Sequence, residues 1–168
     1  IPSVWLQEQM PALPDTAGEM LTKIISTPGG YFVIALLAPV VEEVVFRGAI
    51  LRALLSSMQS KWGAICISAA LFALIHFNPA QTPHAFLMGL LMGWLYMRTG
   101  SIVPGVVFHW ANNTVAYLIA VAYPGDETKL VDIFGGNETA VIMSVVFSLC
   151  IFIPALFQLN IWTKKRGR

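Results

Sequence analysis

Charge is scarce in this sequence. Of its 168 residues, 10 are Lys or Arg and 9 are Asp or Glu. The formal net charge is +1, without the basic excess that a nucleic-acid partner would require. Cysteine is nearly absent. Cys66 and Cys150 stand far apart in apolar segments, which gives no support to a disulfide framework or a zinc–cysteine site and leaves buried free thiols as the expectation. The start has no basic stretch followed by a short apolar run and a small-residue cleavage site, and residue 1 is Ile. A chain that lacks N-terminal helices of a longer protein is expected from this. Repeats and linkers are also missing, so residues 1–168 read as a single domain.

What the sequence does have is apolar surface. Hydrophobic residues make up 57% and the mean hydropathy is +0.71, above the norm for soluble domains. The reading is all-α: a polytopic transmembrane helical bundle of about five spanning or partly spanning helices, with a short amphipathic helix before them. Pro2, Pro11 and Pro14 disfavour a long helix at the start. Asp15-Thr16 caps a short helix to about Ser26, with Met20, Leu21, Ile24 and Ile25 on one face. The bundle helices are expected over residues 31–58, 62–77, 84–96, 102–123 and 139–162. Asn78 to Pro83 reads as a turn or a re-entrant segment, and 124–138 as a polar loop. With the basic end Lys164–Arg168 in the cytoplasm, alternation puts Arg52, Lys61 and Arg98 on the same side. Lys23 and Lys129 fall opposite, among Glu8, Asp15, Glu19, Asp126, Glu127, Asp132 and Glu138. That asymmetry fits a multi-pass protein of a bacterial-type inner membrane with a cytoplasmic C-terminus.

Three polar sets interrupt the apolar helices, where ionisable groups are costly and seldom lack partners or a task. The first is Glu42-Glu43 with Arg47. Glu43 and Arg47 are four apart and share a helix face, whereas Glu42 is turned by about 100° from Glu43. One carboxylate is therefore neutralised and the other is left for acid–base work. The second set is Phe72 and His76, also four apart, so that the phenyl ring can pack under the imidazole. The third is His109 and Asn113, two donors on one face that suit an oxyanion. Each set also has a structural reading, as an interhelical hydrogen bond or ion pair. Gly89 and Gly93 form a GxxxG pattern, expected at a close helix contact. His84, beside Pro83, reads as a loop or interface residue.

These motifs, Glu42-Glu43-x-x-x-Arg47, Phe72-x-x-x-His76 and His109-x-x-x-Asn113, occur in this order within about residues 38–120. Together they resemble the signature of the CAAX-protease and bacteriocin-processing (CPBP or Abi) family of intramembrane glutamic endopeptidases. The resemblance implies that Glu42, assisted by His76, activates a water to attack a peptide carbonyl. It also implies that His109 and Asn113 stabilise the oxyanion, while Glu43, Arg47 and Phe72 support them. No acyl-enzyme is implied, because no Ser or Cys nucleophile lies in the motifs. The implied substrate is a peptide or lipidated protein reached from the bilayer, cut in CAAX-box fashion or as a peptide or bacteriocin being processed. No cofactor is expected. Two alternatives stay open. Glu42, His76 and His109 could hold a catalytic zinc in a membrane peptidase. The same residues could also serve a non-catalytic immunity or transport protein.

Overall fold

The computed structural model describes residues 1–9, 13–124 and 128–166, with side chains through 163. Pro11, Asp126, Glu127, Gly167, Arg168 and the side chains of Lys164, Lys165 and Arg166 lie outside the described residues. Every regular element among the described residues is helical. The chain divides into two compact units, Leu13–Ala122 and Ile1–Ala12 with Tyr123–Arg168. All three motifs belong to the first.

In that unit, α2 (Gly18–Ile25) begins where Asp15 Oδ1 accepts from the backbone N–H of Ala17 at 3.1 Å and of Gly18 at 2.8 Å. Leu21, Ile24 and Ile25 are half-buried, but Met20 of the expected apolar face is 63% exposed. A continuous helical rod then occupies residues 30–57. Its register changes along its length. Wider π turns cover π1 (Phe32–Leu37) and π2 (Val44–Leu51), with α-helical turns in α3 (Ala38–Glu43) and α4 (Arg52–Ser57). Such π turns are uncommon and gather at functional sites. Here they bracket Glu42 and Glu43.

The next helix, α5 (Lys61–Leu74), starts where Ser60 Oγ accepts from the Gly63 amide at 3.0 Å, a side-chain cap. It stops two residues short of His76, which sits in the following turn and not on the helix as the sequence suggested. Phe77 takes a left-handed backbone, φ +47°, which ends the helical path. The turn is tied down from outside. Asn78 is buried and donates to Asp15 Oδ1 at 2.8 Å, and the Thr16 hydroxyl donates to the Phe77 carbonyl.

After the turn, α6 (Thr82–Thr99) packs against α5 through the GxxxG pair. A Cβ on Gly89 would lie 2.9 Å from Ala69 Cα, and one on Gly93 3.0 Å from Ile65 Cγ2. The two backbones approach this closely because neither glycine has a side chain. α7 (Val103–Ala122) completes the unit, with Pro104 in its first turn, where its missing N–H does no harm. Phe46, Phe72, Ala73, Ala85, Met88 and Met92 form one core cluster. A second holds Leu51, Ala64 and Ile65.

The other unit contains α1 (Pro2–Glu8), α8 (Leu130–Ile133) and α9 (Glu138–Arg166). Glu8 Oε1 accepts from the Leu130 amide at 2.8 Å, which gives the polar loop of the sequence reading a fixed turn of helix.

Among the described residues, two helices are long and apolar enough to cross a membrane, Val103–Ala122 and Glu138–Thr163. The sequence suggested about five. α5 has 14 residues against the ~20 a bilayer core takes. The 30–57 rod carries Glu42, Glu43, Arg47 and Arg52, and its register is broken twice. The thiols also differ from expectation, since Cys66 and Cys150 are both exposed and free. They lie on outward faces of apolar helices, among the many hydrophobic side chains that point away from the core.

Candidate active site

The motif residues are held by four elements of one unit. Glu42 and Glu43 close α3, Arg47 lies in π2, Phe72 is on α5 with His76 just past its end, and His109 and Asn113 are on α7. The phenyl ring of Phe72 is the hub. Its centroid lies 5.0 Å from that of His76 and 5.6 Å from that of His109, both edge-on. The Arg47 guanidinium carbon sits 4.5 Å from the same centroid. The ring quadrupole favours a cation over its face and edge-to-face pairing with the imidazoles.

The two adjacent glutamates occupy different environments, as their angular offset on the helix requires. Glu43 is fully buried and accepts from Arg47 Nη1 at 2.6 Å. Arg47 Nη2 donates onward to the Gly89 carbonyl at 3.2 Å. The ion pair is thus anchored to α6 at Gly89, one of the two glycines of the GxxxG contact with α5. Glu42 has no such cation. Its side chain keeps 24% exposure, with Oε2 3.7 Å from His109 Nε2. The other nitrogen, Nδ1 of His109, lies 3.5 Å from Glu43 Oε1. One imidazole therefore stands between the two carboxylates, one of them paired and the other not. Glu42 is also within electrostatic reach of His76 and Arg47.

Among the described residues, the buried side-chain polar atoms without a hydrogen-bond partner are Glu42 Oε2, Glu43 Oε2, Arg47 Nε and His109 Nδ1. All four belong to the motifs. Orphaned polar atoms are expensive in a low-dielectric interior, so a cluster of them marks a place built for something other than packing.

The His76 ring is oriented by its own backbone. Nδ1 meets the Phe72 carbonyl at 2.8 Å. A carbonyl only accepts, so Nδ1 carries the proton and Nε2 offers a lone pair. Asn113 is held differently. Its Nδ2 donates to the Ile34 carbonyl in π1 at 3.0 Å, and its Oδ1 accepts from Asn112 Nδ2 at 3.3 Å. It lies one turn beyond His109 on the same face of α7, with its amide engaged on the glutamate-bearing rod.

Two residues the motifs do not contain also shape the site. Gly105 precedes His109 by four on the same face of α7, and a Cβ there would collide with Glu43 Oε2. The carboxylate is seated against bare backbone. The Gly105, His109, Asn113 spacing was the available signal. His84, in the first turn of α6, hydrogen-bonds the Asn112 side chain and lies within electrostatic reach of His76 and His109. Among the described residues, no three His, Cys, Asp or Glu side chains are grouped so as to hold a metal ion.

Compared with known proteins, residues 25–115 match the type II CAAX prenyl endopeptidase Rce1-like family. No curated protein and no solved structure matches the chain. The matched span runs from the end of α2 into α7 and takes in every motif residue. Because it covers more than half of the chain, the protein belongs to the Rce1-like family of type II CAAX prenyl endopeptidases, a family of membrane peptidases.

Proposed function

We propose that the chain is an intramembrane endopeptidase that hydrolyses a peptide bond with a water activated by Glu42 and His76. The observation that carries this reading is the division between the glutamates. Arg47 neutralises Glu43, while Glu42 stands beside His109, partly accessible and without a cation of its own. A carboxylate so placed can take a proton from water, and His76 Nε2 supplies a second acceptor for the same water. Attack on the scissile carbonyl builds a tetrahedral oxyanion. His109 and the second amide hydrogen of Asn113 are the donors that would meet it. The proton held by Glu42 then passes to the leaving amine, and no covalent acyl-enzyme forms. The substrate is a peptide or prenylated protein, as family membership implies, cut near its C-terminus; a processed peptide of the bacteriocin type belongs to the same reading.

The bilayer setting is part of the proposal. Val40, Val41, Val44 and Val45 of the 30–57 rod are 43–51% exposed, whereas Glu43 and Arg47 are sealed inside. A rod of this length reaches roughly 40 Å at 1.5 Å per residue, more than the ~30 Å of a hydrocarbon core. We therefore read the rod, α5 and α6 as lying in the membrane with α7 and α9, and the C-terminus as cytoplasmic in a bacterial-type inner membrane.

The test is cleavage of a peptide library, including prenylated C-terminal peptides, by purified protein in detergent with and without chelator. The expected result is cleavage that survives chelation and falls by about 10²-fold or more in Glu42→Gln, with a loss in His76→Ala as well. Activity lost in chelator and restored by zinc would replace the mechanism with a metal one. Equal products from wild type and both variants would overturn the proposal.

A further inference from the structure

The strongest unexplained feature is the bond from Asn113 to the Ile34 carbonyl, because a mid-helix carbonyl normally has a backbone donor already. In α-helical spacing the donor for Ile34 is the Ala38 N–H, four residues on. In π1 that N–H bonds to the Val33 carbonyl instead, five residues back. Carried forward one residue, the same spacing assigns Ile34 to residue 39. Residue 39 is Pro, which has no N–H. The Ile34 carbonyl is thereby left without a backbone donor, and Asn113 Nδ2 provides one at 3.0 Å.

We propose that Pro39 is a positioning residue for the reaction: it opens the Ile34 carbonyl as a docking point that locks the Asn113 amide. This deepens the reading above and rests on it, since it assigns value to where Asn113 points. The amide is held at both ends. Its NH₂ must face Ile34, because a carbonyl cannot donate, and its oxygen accepts from Asn112. Asn112 is itself bonded to His84. One amide hydrogen is spent on Ile34 and the other is fixed in direction by the plane of the group. Pro39 is fully buried and three residues ahead of Glu42. The same helical defect that admits Asn113 thus lies one turn from the carboxylate that would activate water.

A proline inside a helix costs stability, so the obvious variant should fold. Pro39→Ala restores an N–H that can serve Ile34 and releases Asn113. The expected result is a kcat lowered by about tenfold to hundredfold, as a ~1 Å misplacement of a positioning group can cause. KM should change little, and the melting temperature in detergent should hold or rise. In the double variant Pro39→Ala/Asn113→Ala, kcat should equal that of Asn113→Ala alone, because both changes remove the same group from the reaction. Multiplying losses in the double variant, or an unchanged kcat in Pro39→Ala while Asn113→Ala is impaired, would overturn this inference alone. A fully active Asn113→Ala would instead remove the oxyanion role from which it starts, and with it the value of the lock.

Discussion

Gly105→Ala sets two rules against each other. On an ordinary helix face the change favours the helix by up to about 1 kcal/mol, because alanine loses less backbone entropy than glycine. At this position the new methyl would occupy the seat of the Glu43 carboxylate, with Cδ 3.2 Å away and Oε2 closer still. If the carboxylate merely shifts, overpacking costs about 1–3 kcal/mol. If it is driven off Arg47, a buried charge is left unpaired, at about 3–5 kcal/mol. After the propensity gain, the net loss is roughly 0–4 kcal/mol, centred near 2. At about 2–4 °C per kcal/mol, the melting temperature in detergent should fall by several degrees. Gly48→Ala is the control, since its Cβ would meet nothing nearer than 3.9 Å, and it should match or exceed wild type. Gly105→Ala behaving like Gly48→Ala in thermal unfolding would refute the placement of the Glu43 carboxylate against α7.

Two further outcomes follow from the same geometry. Arg47→Met should destabilise by about 3–5 kcal/mol, because it leaves Glu43 buried without its cation; Glu43→Leu/Arg47→Met should recover most of that loss in the same unfolding assay while restoring no peptidase activity. The bond from His76 Nδ1 to the Phe72 carbonyl predicts that Nδ1 holds the proton in the neutral tautomer, so nitrogen-15 NMR of labelled histidine, read where the ring is neutral, should show Nε2 as the bare nitrogen. A ring protonated at Nε2 would break the link between His76 and water activation.

Much of the helical plan was legible because apolar content and helix-breaking residues are local properties. The Pro28-Gly29-Gly30 break, the Gly100 turn and Pro104 mark helix ends that the structure places within a few residues of expectation. The Glu43–Arg47 pair was legible for the same reason, since four residues along a helix bring two side chains together whatever surrounds them. Phe72 and His76 kept their contact even though His76 lies past the helix end, because the ring turns back onto the last turn through Nδ1. Cys66 and Cys150 were misjudged because apolar surroundings in sequence need not mean an inward face, and a helix that presents hydrophobic side chains outward hides its direction from composition.

The residue types and their spacing settled that the chain is helical, that Glu43 has a cation, and that Glu42 does not share it. Only the tertiary structure decided that one imidazole from α7 stands between the two carboxylates and that Phe72 joins His109 and Arg47. It alone decided that Asn113 bonds the Ile34 carbonyl on the glutamate-bearing rod. Those relations span tens of residues in sequence and depend on how closely the helices approach. Small residues such as Gly89 and Gly105 set that distance, and their effect exists only once the helices meet.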